Sequence, residues 1–120
     1  MQYLLLIYSD EAIWESRSKD ERQAIYREYG RLDNDLRAQD RFIAGDELQP
    51  VATATSVQVR NGDTIVSDGP FAETKEALGG YYLIEADGLD EAIEWAARIP
   101  AARGGTIEIR PLVDHSGGAS

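Results

Sequence analysis

The chain has 120 residues, of which 42% are hydrophobic, and a formal net charge of −10 from 22 acidic and 12 basic side chains. Its length predicts one domain with a real core, and its negative charge repels phosphate backbones and anionic lipids, which argues against direct nucleic-acid or membrane binding. Cysteine is absent, which excludes disulfides and thiolate metal sites.

The amino-terminal residues predict a cytoplasmic protein. Met1 and Gln2 lead directly into an apolar strand, without the basic start and long apolar segment of a secretion signal. The sequence also has no apolar stretch long enough to span a bilayer. We therefore expect a cytoplasmic location by default.

The first half of the chain predicts a strand, a long helix and a second strand. Residues 3–8 form an apolar run typical of a strand that is covered on both faces. Ser18 and Glu21 match a capping box, and apolar side chains at helical spacing then predict a helix from about Lys19 to Gln39. Residues 42–48 predict the second strand.

A β-hairpin is predicted around Asn61 and Gly62. A type I′ turn requires positive φ at both of its central positions, and this dipeptide is a strong signal for one. The two-residue loop places Arg60 opposite Asp63, so opposite charges face each other across the strands.

The second half predicts a strand from Gly80 to Glu85, a helix beginning after Gly88 and stopped by Pro100, and a last strand over Thr106–Arg110. The apolar stripe expected on the helix consists of Ala92, Ile93, Ala96 and Ile99. We expect residues 114–120 to form a disordered tail after a single domain of residues 1–113.

This order of elements is a ferredoxin-like βαββαβ plan with an additional inner hairpin, in the α+β class. Two helices cover only one face of an antiparallel sheet, and the apolar side chains of the other face must also be buried. A second copy of the same sheet is the simplest cover, so a homodimer is expected.

The most distinctive stretch runs from Asp68 to Glu76. The turn Asp68-Gly69-Pro70-Phe71 is followed by Glu73, Lys75 and Glu76, and then by Gly79-Gly80-Tyr81-Tyr82. This block resembles the DGPF branch of the YCII-related proteins, and residues 3–8, 90–96 and 108–112 resemble other elements of that family.

The resemblance implies a dimeric α+β barrel in which two sheets face each other. The family consists of small bacterial proteins, mostly without an assigned reaction, and some of its members are linked to alternative sigma factors. Enzymatic relatives are associated with a His–Asp pair. The single histidine here is His115, in the expected tail, so that catalytic role is not carried over.

Five residues are candidate ligand contacts: Asp68, Glu73, Lys75, Tyr81 and Arg110. If Ile107 and Ile109 face the helices, then Glu108 and Arg110 face the space between the sheets. Arg110 would bind an anionic ligand that a tyrosine hydroxyl orients. The favoured alternative is a Glu108–Arg110 or interchain ion pair. The sequence does not decide between Tyr81 and Tyr82.

The roles of the Asp68–Glu76 residues are also open. Asp68 is a general base or ligand anchor, or, as we favour, the acceptor of an Asx-type turn. Lys75 forms a proton-transfer set with Glu73 or Glu76, or simply pairs with one of them. Phe71 is expected to anchor the loop in the core.

Neither a metal nor a cofactor is expected, because the sequence has no HExxH, CxxC or phosphate-loop pattern. The first functional hypothesis is a homodimeric small-molecule-binding protein for a small polar or anionic metabolite, with any reaction left open. The alternative is a regulatory protein that contacts a basic protein partner. In a third reading, the turn serves only folding.

Overall fold

The computed structural model describes residues 1–116. The strands are β1 (Gln2–Ser9), β2 (Phe42–Glu47), β3 (Thr55–Arg60), β4 (Asp63–Asp68), β5 (Ala77–Glu85) and β6 (Thr106–Pro111). The α-helices are α1 (Glu11–Ser16), α2 (Lys19–Ala38) and α3 (Leu89–Ala97). Short 3₁₀ turns at Val51–Thr53 and Pro100–Arg103 connect them.

Four strands form one antiparallel sheet in the order β2-β5-β1-β6, and β3 pairs with β4 in a separate two-stranded sheet. Every strand of the larger sheet is therefore antiparallel to its neighbours. The predicted α+β class, the βαββαβ order and the inserted hairpin are confirmed.

The capping box that begins α2 is present in both directions. The Glu21 amide donates to Ser18 Oγ at 3.1 Å, and the Ser18 amide donates to Glu21 Oε1 at 2.9 Å. These bonds satisfy two amides that the first helical turn leaves free. The helix then buries Leu32 and Leu36 against the sheet.

The core lies on one face of the sheet only. Tyr3, Leu5 and Ile7 of β1 are buried there, whereas the alternating side chains of the same strand are half-buried on the other face. Within the single chain, α2 and α3 cover only this face of β1, and the expected cover of its other face stays a prediction. Ile107 and Ile109 also pack against this core, as predicted.

The predicted stripe of α3 needs one correction. Ile93 is 48% exposed, while Trp95 is only 6% exposed and belongs to the core. Ala92, Trp95, Ala96 and Ile99 recur at intervals of three and four, which is the spacing of one helix face. The Trp95 indole is tolerated in this stripe because its N–H donates to Glu91 Oε2 at 2.8 Å.

The hairpin has the predicted register, with Arg60 opposite Asp63 and positive φ at Asn61 (52°) and Gly62 (81°). The expected charge pair does not form, since the Arg60 guanidinium donates to the carbonyl of Val59 instead.

The molecule is wide and thin. The Cα trace measures 52 × 48 × 18 Å, and its radius of gyration is 16.7 Å. A compact chain of this length would have about 13.6 Å.

The expected tail is only partly described. Asp114 Oδ1 accepts from the amide and the hydroxyl of Ser116 in a local turn. Residues 117–120 lie outside the described residues. Among residues 1–116, no helix is long and apolar enough to cross a membrane.

Tyr82 joins the sheet to α2, because its hydroxyl donates to Asp33 Oδ1 at 2.6 Å. Burial, reinforced by this hydrogen bond to a carboxylate, raises the pKa of Tyr82 above its usual value. Above pH ~10 the unfolded chain ionises this tyrosine while the folded chain keeps it protonated. The free energy of unfolding therefore falls as the pH rises.

We expect Tyr82→Phe to flatten this alkaline decline. Urea unfolding between pH 9 and 11 measures the slope of stability against pH. Tyr81→Phe is the matched control, because the structure gives no hydrogen bond for that hydroxyl within residues 1–116. Equal slopes for the wild type and Tyr82→Phe would contradict the assignment.

Candidate functional site

The sheet face opposite the helices, here called the open face, is apolar at its centre and charged at its margins. Its side chains are those of Leu4, Leu6, Tyr8, Leu78, Tyr81 and Leu83, bordered by Asp46, Glu108 and Arg110. None of these central side chains is fully buried in the single chain. An apolar surface with a charged border is typical of a covered interface or a ligand site.

The register resolves the tyrosine question. Tyr82 points to α2, so its neighbour Tyr81 points to the open face, where it lies between Leu6 of β1 and Asp46 of β2. Arg110 lies opposite Leu4 on the same face. Tyr81 on β5 and Arg110 on β6 thus lie on opposite sides of β1, and their levels along that strand differ by two residues.

Arg110 is exposed and forms no ion pair with any described residue. The intrachain pair with Glu108 is therefore absent. The interchain alternative remains a prediction.

The turn after Asp68 is held by its neighbours on β3 and not by its own carboxylate. The Gly69 amide donates to the carbonyl of Ala54 at 2.7 Å, and Ser56 Oγ donates to the carbonyl of Gly69 at 2.8 Å. Within the described chain, the Asp68 carboxylate accepts no hydrogen bond, so the expected Asx-type turn is wrong. Asp68 is instead an exposed acid at the base of the hairpin.

The loop from Gly69 to Glu76 lies outside the core. Phe71 is 91% exposed, so the expectation that it anchors the loop is wrong; no hydrophobic layer lies beneath it. Glu73 and Lys75 are exposed and make no ion pair with another residue of the described part. A preformed proton-transfer set with Lys75 is thus absent.

One chain does not gather the five candidates. Ala77, which follows the loop, pairs with Ser9 of β1, whereas Arg110 pairs with Leu4. Five residues of strand separate these two levels by ~17 Å. Lys75 and its neighbours thus lie beyond one end of the sheet, Tyr81 lies near the middle, and Arg110 lies toward the other end.

A shallow cavity of about 540 Å³ near the loop end of the open face is lined by Tyr8, Glu76, Thr106, Ile107 and Glu108. None of the five candidates lines it, and the sequence analysis did not propose it as a site. Strand alternation placed Tyr8 and Glu108 on one face, but only the register brings Glu76 beside β6. Within residues 1–116, no group of histidine and acidic side chains is close enough to hold a metal ion.

Comparisons with known proteins identify the family of this chain. The model of the YCII-related domain matches residues 1–116. An uncharacterized protein of Rhizobium meliloti (strain 1021) is 37% identical over 126 residues, covering 98% of this chain and 97% of that protein. The chain belongs to the YCII-related family.

We expect Gly69→Ala to destabilise the hairpin base. The φ of Gly69 is +92°, where a side chain costs ~1–2 kcal/mol, although the space around it is open. Gly104→Ala is the matched control, with open space and φ of −130°. Amide exchange of β3 and β4 should accelerate only in Gly69→Ala; unchanged exchange would contradict a strained turn.

Proposed function

We propose that two copies of the chain apply their open faces to each other and bind a small polar or anionic metabolite between them. The observation that carries this proposal is the apolar centre of the open face, which the chain's own helices leave uncovered. In the assembly the two sheets would form the α+β barrel that the family resemblance implies. Whether the bound metabolite also reacts is left open.

The total surface of the chain supports a second copy. The accessible area is 8336 Å², whereas a folded monomer of 13.3 kDa exposes roughly 6,450 Å². If the last eight residues are left out of both areas, which removes at most ~1,000 Å² from the chain and ~250 Å² from the reference, the excess is still roughly 1,100 Å². This exceeds the ~800 Å² per partner of a standard protein interface.

The unpaired cation of the open face supports the class of ligand. Arg110 has no acidic partner among residues 1–116, and covering it would leave a desolvated charge. An anionic group of the ligand, bound by Arg110 and oriented by the Tyr81 hydroxyl, would neutralise this charge. Asp68, Glu73 and Lys75 would complete the site from the loop end, and the ~17 Å spacing favours contribution from the second copy.

A second candidate function is a regulatory contact with a basic partner protein in an alternative sigma factor system. The observation that favours it is a shallow acidic cavity of about 500 Å³ at the start of α3, lined chiefly by Asp87, Asp90, Glu91 and Glu94. Opposite charges across an interface accelerate and orient association. This cavity lies on the helix layer, so such a contact leaves the open face free for a second copy.

The metabolite proposal predicts a thermal shift that depends on Arg110. We expect at least one member of a panel of dicarboxylates, phosphate esters and amino acids to stabilise the wild type, by about 2.7 kcal/mol at a hundredfold excess over Kd. Arg110→Ala should abolish most of that shift, and Lys75→Ala part of it, because each removes a positive charge from the ligand.

Arg27→Ala is the matched control, since Arg27 is an exposed arginine of α2 on the helix layer. It should keep the full shift. A shift that survives Arg110→Ala would remove the ligand from the open face. No shift with any compound would favour the regulatory candidate.

A further inference from the structure

The hairpin of β3 and β4, here called the arm, exposes an apolar surface that its own chain does not use. Val57, Val59 and Val66 share one side of the arm, the valine face, and are 60%, 59% and 61% exposed. Val57 lies directly opposite Val66. Three large aliphatic side chains exposed side by side form a patch that water solvates poorly.

The arm has little support of its own. Two strands pair only with each other in a separate sheet, and isolated two-stranded hairpins are marginally stable in water. The contacts at its base are the hydrogen bonds from Gly69 to Ala54 and from Ser56 to Gly69. Beyond that base, all side chains of β3 and β4 are exposed.

The shape of the molecule shows where the arm extends. The Cα trace is 52 and 48 Å wide but only 18 Å thick. One sheet covered by one layer of helices already accounts for about 10 Å between the layers. The arm follows β2 and precedes β5 in the chain. In a molecule this thin it extends roughly in the plane of the sheet and does not fold over the open face.

Charge distinguishes the arm from the rest of the surface. Residues 55–68 carry one base, Arg60, and two acids, Asp63 and Asp68, for a net charge of −1 out of the chain's −10. Asp68, at the base, is the single charge on the valine face. Two copies of an acidic chain repel each other, and this face meets a second copy with almost no like-charge contact.

We propose that the valine face docks on a second copy of this chain, so that the arms of a homodimer reach beyond their own sheets onto the partner. The inference rests on the proposed open-face homodimer and adds a second contact to it. Because the arm extends beyond the edge of its own sheet, it can contact the partner when two open faces meet. The excess of roughly 1,100 Å² per chain is large enough to include both contacts.

Docked arms also explain the position of the Asp68–Glu76 block. The block begins at the last residue of β4, so an arm that docks on the partner carries Asp68 with it. The block of one copy is then delivered to the other copy. The second copy can thereby supply the residues that, within one chain, lie ~17 Å along the strands from Arg110.

The test compares dimer dissociation constants, measured by light scattering over a dilution series, for two substitutions on the same strand. Val57→Lys charges the valine face, and Gln58→Lys adds the same charge to the opposite side of the arm. We expect Val57→Lys to raise Kd at least tenfold and Gln58→Lys less than twofold. Leu6→Lys, at the centre of the open face, tests the homodimer itself.

The outcomes are distinct. Weakening by both Leu6→Lys and Val57→Lys supports both contacts. Weakening by Leu6→Lys alone overturns the arm inference and leaves the open-face dimer intact. Weakening by Val57→Lys alone keeps the arm contact and overturns the open-face dimer. A wild type that is monomeric throughout overturns both.

Amide exchange gives an independent readout that does not require a substitution. We expect the amides of β3 and β4 to exchange slowly in the dimer and at least tenfold faster when the wild type is diluted below its Kd. Equal protection at both concentrations would mean that the arm is stabilised within one chain, which overturns the inference.

Discussion

The architecture depends on one constraint: a sheet has two faces, and the helices of this chain cover only one. Tyr3, Leu5 and Ile7 are buried beneath α2 and α3, while Leu4 and Leu6 alternate with them on the other side. Strand geometry makes this division unavoidable, because successive side chains point in opposite directions. The same alternation sends Tyr82 to Asp33 and leaves Tyr81 on the open face.

The proposed function follows from this constraint and from the charge of Arg110, which pairs with no acid in the described part of the chain. An arginine on an apolar face is tolerated while water reaches it, but covering that face requires an anionic partner. An acid of the second copy or a bound metabolite can supply one. The exposed loop after Asp68 and the exposed arm are consistent with an assembly in which residues of one copy act in the other.

Local chemistry made much of the fold predictable. The capping box at Ser18, the positive φ at Asn61 and the alternation of β6 each depend on neighbours in sequence. Trp95 was missed because its burial depends on packing and on a bond to Glu91. The expectations for Asp68 and Phe71 failed because the loop between the arm and β5 has no core beneath it. The cavity beside Glu76 required the register of β1 with β6.

The most direct test of a covered open face is the solution mass of the wild type by sedimentation equilibrium. The account predicts twice the chain mass of 13.3 kDa at micromolar concentration, and a single-chain mass for Leu6→Lys under the same conditions. A wild type that sediments as one chain at every concentration, with the same stability throughout, would contradict it. The face beside Tyr81 would then be stable in contact with water.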